Sequence, residues 1–128
     1  MITLKKQNEG VHELTNSKAV VSIGAAKDSD TEGFSPVDYL CSSVSMCVAL
    51  TLDAIIKRDR LPINGYSIEV NATKADDRPS RFEQIDLTIK FDGEIDDQTR
   101  IKLEKSAERG CTIGHTLEHG ATVTITSK

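Results

Sequence analysis

Apolar positions recur with two different periods along this chain, and the change of period marks out its elements. Near the N-terminus Ile2 and Leu4 alternate with polar residues, and Asn8-Glu9-Gly10 reads as a turn. Residues 11–14 and 19–23 read as two further short strands, with Thr15-Asn16-Ser17 as the turn between them. Residues 24–33 (GAAKDSDTEG) are small and polar and read as a loop. From there the period lengthens: Val37, Leu40, Cys41, Val44, Cys47, Val48, Thr51, Leu52 and Ile55 recur at spacings of three and four, the stripe of an α-helix. Ser35 suits its N-cap and Pro36 its first turn, where the missing N–H costs nothing. Asp38, three residues after Ser35, is placed to return a capping hydrogen bond. Lys57-Arg58-Asp59-Arg60 forms a cationic end, and Pro62 disfavours helix at Leu61.

Period two then returns. Residues 66–73 and 82–91 alternate, with Ile85, Leu87, Ile89 and Phe91 on one face, and the loop 74–81 makes the pair a hairpin. Asp92-Gly93 reads as a turn, 96–109 as an amphipathic helix with Gly110 at its C′ position, and 111–119 as one or two helical turns. Gly120 precedes a last predicted strand at 121–126. The predicted order is β-β-β-α-β-β-α-(short α)-β, an α+β fold with helices grouped against antiparallel sheet. Met46, Ala49, Leu50 and Ile56 widen the stripe of the central helix until one small sheet is too little to cover it, so a homodimer burying it is expected.

Composition narrows the picture without redirecting it. At 128 residues a single domain over 1–128 is expected. With no Trp and 4% aromatics, the core has to be aliphatic. A net charge of −4 and a pI near 5.3 disfavour a general nucleic-acid binder, which needs a surplus of Lys and Arg. Residues 1–6 (MITLKK) show no signal-peptide pattern, and the uncharged stretch 39–52 is too short to span a membrane, so neither a leader nor a membrane partner is expected. A cytoplasmic protein with reduced thiols is the expectation.

Candidate chemistry rests on the cysteines. Three of them, Cys41, Cys47 and Cys111, cannot all pair within one chain, which argues against a structural disulfide framework. Cys41 falls six residues before Cys47, about 120° away around the helix, and reads as a packing residue. Cys47 and Cys111 read either as small buried apolar residues or as a redox pair, and their separation in sequence leaves both readings open. Cys111, His115 and His119 are spaced by four, which suggests zinc. Gly114 and Gly120 interrupt that helix and no further ligand is evident, so no metal is expected; His12 reads as a surface residue. There is no Walker loop, no Gly-x-Gly-x-x-Gly and no Gly-x-Ser-x-Gly, so no cofactor or hydrolase elbow is indicated. The acidic pairs Asp76-Asp77 and Asp96-Asp97 read as turn and helix-start residues.

Two segments carry a resemblance. Residues 33–47 (GFSPVDYLCSSVSMC) show a Gly-x-x-Pro helix opening with Cys eleven residues after the Pro, and residues 106–117 (SAERGCTIGHTL) place a second Cys after a helix. Together, with a hairpin between them, they resemble the OsmC/Ohr family of osmotically inducible and organic-hydroperoxide-resistance proteins. The resemblance implies antiparallel sheets around a long buried central helix in an intertwined homodimer. It also implies a peroxidase that reduces organic hydroperoxides with a thiol reductant. Carried over residue by residue, Cys47 would be the peroxidatic and Cys111 the resolving cysteine. In two places the chain departs from the family pattern. The family's peroxidases hold the thiolate with an N-terminal Arg, whereas no Arg precedes Arg58 here. They carry Glu directly after the helix-opening Pro, whereas here Val37 stands there and the acid, Asp38, follows, a candidate catalytic residue as well as a cap. Without the Arg, Cys47 is expected to have a raised pKa and to be a slow nucleophile. The alternative to the peroxidase is a non-enzymatic protein that binds a small apolar ligand at the dimer interface.

Overall fold

The computed structural model describes residues 1–128, and the chain divides into two compact units, Met1–Ser42 and Ser43–Lys128. In the first, β1 (Thr3–Lys5), β2 (His12–Thr15) and β3 (Val21–Gly24) form an antiparallel meander in the order β1-β2-β3. The β2–β3 turn is built by Asn16, whose side-chain oxygen accepts from the amides of Lys18 and Val20, both at 3.0 Å. The polar loop then returns to β3. Phe34 N donates to Ile23 O at 2.9 Å, and a Cβ on Gly33 would sit 2.7 Å from that same oxygen, so only glycine lets the loop close here.

That closure delivers Ser35 to the start of α1 (Pro36–Arg58). Ser35 N donates to the Asp38 carboxylate at 2.8 Å, while Asp38 N donates to Ser35 Oγ at 3.3 Å, the reciprocal cap expected from the sequence. These bonds to Ser35 hold the Asp38 carboxyl below its ordinary value, with Lys27 adding a smaller pull. By length and composition alone α1 would also fit a membrane span. Its stripe of Val44, Val48, Leu52 and Ile55 instead forms core with residues of the same chain.

The second unit is built on that stripe. β4 (Ile63–Lys74) and β5 (Phe82–Gly93) form a long antiparallel hairpin in which Tyr66 pairs with Phe91, Ile68 with Ile89, Val70 with Leu87 and Ala72 with Ile85. The register therefore aligns the apolar sets of both strands on one face. Ile68, Leu87, Ile89 and Phe91 pack against the core formed by the α1 stripe with Leu103, Ala107 and Cys111. Tyr66 adds a polar tie, its hydroxyl donating to Asp53 and to Ala49 O on α1. Burial, and then the neighbouring Asp53, push its pKa up to about 12.

Asp96 caps α2 (Asp97–Gly110) by accepting from Thr99 N at 2.7 Å, and α2 supplies Leu103 and Ala107 to the core. Cys111 separates α2 from α3 (Thr112–His119). Two expectations need correction. Residues 121–126 form no strand, and Val123 and Ile125 are 83% and 91% exposed. Their alternation is strand-like, but no strand of the chain pairs with them to complete a ladder. Gly110 is not a left-handed C′ residue but the last residue of α2, and its role is close approach to α1.

Candidate active site

Cys47 faces the core side of α1, one turn after Val44 and one before Thr51 on the same stripe, and it packs against the core cluster. Opposite it, Cys111 stands at the junction of α2 and α3, only 3% exposed. The two helices can come this close because of Gly110. A Cβ there would fall 2.9 Å from both the Cγ2 and the Oγ1 of Thr51, inside van der Waals contact. Thr51 Oγ1 in turn donates to Cys47 O at 3.3 Å, so the residue that abuts Gly110 is anchored to the turn bearing Cys47. As a result, residues 64 apart in sequence, Cys47 and Cys111, become neighbours whose thiols act on each other.

Cys111 also serves as the N-cap of α3, a role the sequence did not suggest for it. Its sulfur accepts from Gly114 N at 3.1 Å and its carbonyl from His115 N at 3.0 Å. The first turn of α3 thus points its free amides toward the sulfurs. The groups that act on the Cys47 sulfur are the backbone N–H of Ile113 first and, to a smaller extent, the Cys111 thiol and the backbone N–H of Thr112.

These interactions reverse the expectation of a raised pKa at Cys47. Its pKa is lowered, chiefly by the Ile113 amide, against the opposing effect of burial. Cys111 moves the other way: burial raises its pKa, and the adjoining Cys47 sulfur raises it further, against a lowering from the Gly114 amide. The two shifts make Cys47 the more acidic thiol of the pair and Cys111 the less acidic. Backbone amides at the N-terminus of α3, with no guanidinium among the causes, account for the lowering. The reading from sequence failed because it weighed only side chains. We expect Cys47 to be alkylated by iodoacetamide with an apparent pKa below the ordinary thiol value of 9.0, and Cys111 above it, when rates are followed by peptide mass mapping across pH. Two cysteines titrating together at the ordinary value would contradict this arrangement.

Other candidates fall elsewhere. Asp38 lies in the first turn of α1 with its carboxylate engaged by Ser35. Cys41 is a half-buried free thiol on the same helix. The spacing-by-four triad dissolves, because the Cys111 sulfur turns inward to Gly114 and Cys47, whereas His115 and His119 are exposed. Thr51, Gly110 and Gly114 escaped the sequence reading as site residues, since each works through contact geometry. A Cβ at Gly114, for example, would come within 3.1 Å of the Cys111 sulfur.

Comparison with known proteins fits this architecture. The model of the family described as OsmC-like protein matches residues 27–126. No functionally curated protein matches the chain. Among solved structures, an OsmC-like protein from Mycoplasma pneumoniae is similar at a TM-score of 0.80 and 15% identity, over 92% of this chain and 86% of that one. The organic hydroperoxide resistance protein OsmC of Legionella pneumophila aligns at a TM-score of 0.70 and 9% identity, covering 91% and 88%. The organic hydroperoxide resistance protein OhrB of Bacillus subtilis aligns at 0.63 and 15%, covering 91% and 89%. At such identities these structures speak for the fold, and the family model spans most of the sequence. The chain belongs to the OsmC-like protein family.

Proposed function

We propose that the protein is a thiol-dependent peroxidase that reduces organic hydroperoxides through Cys47 and Cys111. The observation that carries this reading is the juxtaposition of Cys47 with the buried Cys111, in surroundings that shift the two thiols in opposite directions, Cys47 lowered and Cys111 raised. Two solved relatives in fold that are named organic hydroperoxide resistance proteins support the substrate class.

In the proposed cycle the Cys47 thiolate attacks the distal oxygen of the hydroperoxide. An S–O bond forms, the O–O bond breaks, and the departing alkoxide takes a proton from solvent to leave as the alcohol. Cys47 is then a sulfenic acid, oxidised by two electrons. The Cys111 sulfur displaces hydroxide from it, its own proton leaves with that hydroxide as water, and a Cys47–Cys111 disulfide results. A dithiol reductant restores both thiols and is itself oxidised to a disulfide. Asp38 has no step in this cycle; its assignment is the helix cap. The cycle needs no metal or organic cofactor. It suits a reducing compartment, and we place the protein in the cytoplasm.

We further propose that the working unit is a homodimer. Met46 and Leu50 on α1 are each 56% exposed although they belong to the most apolar helix, and Val123 and Ile125 stand exposed in a strand-like alternation. A second copy would cover both sets.

The cycle is tested by adding one equivalent of tert-butyl hydroperoxide to the reduced protein. The expected product is one tert-butanol per chain and a protein lighter by two hydrogens, with Cys47 and Cys111 in one disulfide-linked peptide pair. Unconsumed peroxide, or oxidation spread over all three cysteines, would instead favour the non-enzymatic reading, binding of a small apolar ligand.

A further inference from the structure

Outside the sulfur site, one cluster of ligating side chains stands on the last turn of α3. His115, Glu118 and His119 are all exposed, and one ligand atom from each lies within 4.8 Å of the others. The imidazole centroids are 6.3 Å apart. Helical spacing explains the grouping, since residues three and four apart share a face.

Three features make this more than proximity. First, each imidazole is already oriented by a backbone carbonyl. His115 Nε2 lies 2.9 Å from Arg109 O, and His119 Nδ1 lies 2.8 Å from His115 O. A carbonyl only accepts, so each of those nitrogens carries the proton. The lone pair is left on Nδ1 of His115 and Nε2 of His119, the arrangement in which metal-bound histidines are usually held. Second, the turn itself is fixed. Gly120 N donates to Thr116 O at 2.7 Å, with Gly120 at a φ of +81° that suits glycine, and Thr116 Oγ1 donates to Thr112 O at 2.9 Å. Third, the cluster sits at the C-terminal end of α3, where the helix dipole favours a positive charge.

We propose that α3 carries a binding site for a divalent transition cation of borderline softness, with His115, His119 and Glu118 as its protein ligands and water completing the coordination. Two imidazoles and a carboxylate suit zinc or copper better than magnesium or calcium, which take oxygen ligands. Ligands around one tetrahedral zinc lie about 3.3 Å apart, so the three side chains have only to close by rotation in solvent. The site is separate from the sulfurs: Cys111 is buried and its sulfur accepts from Gly114 N. A bound cation would pin the last turn of the same helix whose first turn holds Cys47.

The test is titration of the reduced full-length protein with Zn2+ in competition with a chromophoric chelator. One equivalent is expected to bind. His115→Ala and His119→Ala should each weaken binding by about tenfold or more, Glu118→Gln by less, and Cys47→Ser should leave it unchanged. All three α3 positions are exposed, so these variants should keep the fold, which circular dichroism checks. Amide exchange along α3 should slow on adding Zn2+ to the wild type and not to His119→Ala. Zinc affinity unaltered in both histidine variants, or abolished in Cys47→Ser, would overturn the proposal, the latter by assigning the metal to the thiols.

Discussion

Cys47→Ser is expected to lower the turnover of tert-butyl hydroperoxide, measured with a dithiol reductant, by on the order of 10³-fold or more, to the rate of the buffer blank. The loss follows from the ionisation argument. The amides of Ile113 and Thr112 and the Cys111 thiol together favour the anionic form of one sulfur. A serine oxygen in their place stays protonated, because a few hydrogen bonds cannot bring an alkyl hydroxyl into range, and an un-ionised hydroxyl does not attack a peroxide. Cys111→Ser should behave differently. Its first turnover should proceed, since Cys47 remains, and then stall with a sulfenic acid that a dimedone label traps. Should Cys47→Ser retain wild-type turnover, or Cys111→Ser cycle normally under dithiol, the assignment of roles fails.

The largest effect on stability is expected at Leu52. It is fully buried, at 0% exposure, where the α1 stripe meets Leu103 and Ala107 of α2. Leu52→Ala leaves a cavity beside a helix that cannot relax far, and should cost about 3–5 kcal/mol, read as a lower midpoint of urea unfolding at unchanged slope. Leu50, two residues earlier and 56% exposed, provides the contrast. If the chain stood alone, Leu50→Ala would change stability by no more than about 0.5 kcal/mol. A distinctly larger, concentration-dependent loss would mean that a second copy covers it. A small loss at Leu52 would contradict the core described for α1.

Much of this fold was legible because the relevant signals are local. The cap at Ser35 and Asp38, the length of α1, the shared face of Ile85, Leu87, Ile89 and Phe91, and the helix start at Asp96-Asp97 each follow from residues within a few positions of one another. The reading failed where the cause lay far away or in the backbone. The alternation of Val123 and Ile125 is a real pattern, but a strand exists only where a neighbour offers a ladder, and none does within the chain. Gly110 was expected to end a helix by its conformational freedom, whereas its actual role needs Thr51, which no window around position 110 contains. At Cys47 the missing Arg was noted correctly, yet the direction of the pKa shift drawn from it was reversed. The amides of Thr112 and Ile113 carry no signature in residue type, because every residue but proline has one. The likeness of positions 33–47 and 106–117 to the family compensated in part, fixing which two cysteines to compare but not how their charges would divide.

The contact between Gly110 and Thr51 bears on how such a site can be lost. The proposed cycle would depend on a gap between two helices as much as on two sulfur atoms, and that gap is gauged by a hydrogen atom against a threonine side chain. A chain could keep Cys47 and Cys111 and still lose the reaction if position 110 acquired a methyl group, since the junction bearing Cys111 would be levered outward. The resolving step would then fail for want of reach. On this reading a glycine at 110 belongs to the proposed site as much as the two cysteines do, although it carries no chemistry of its own.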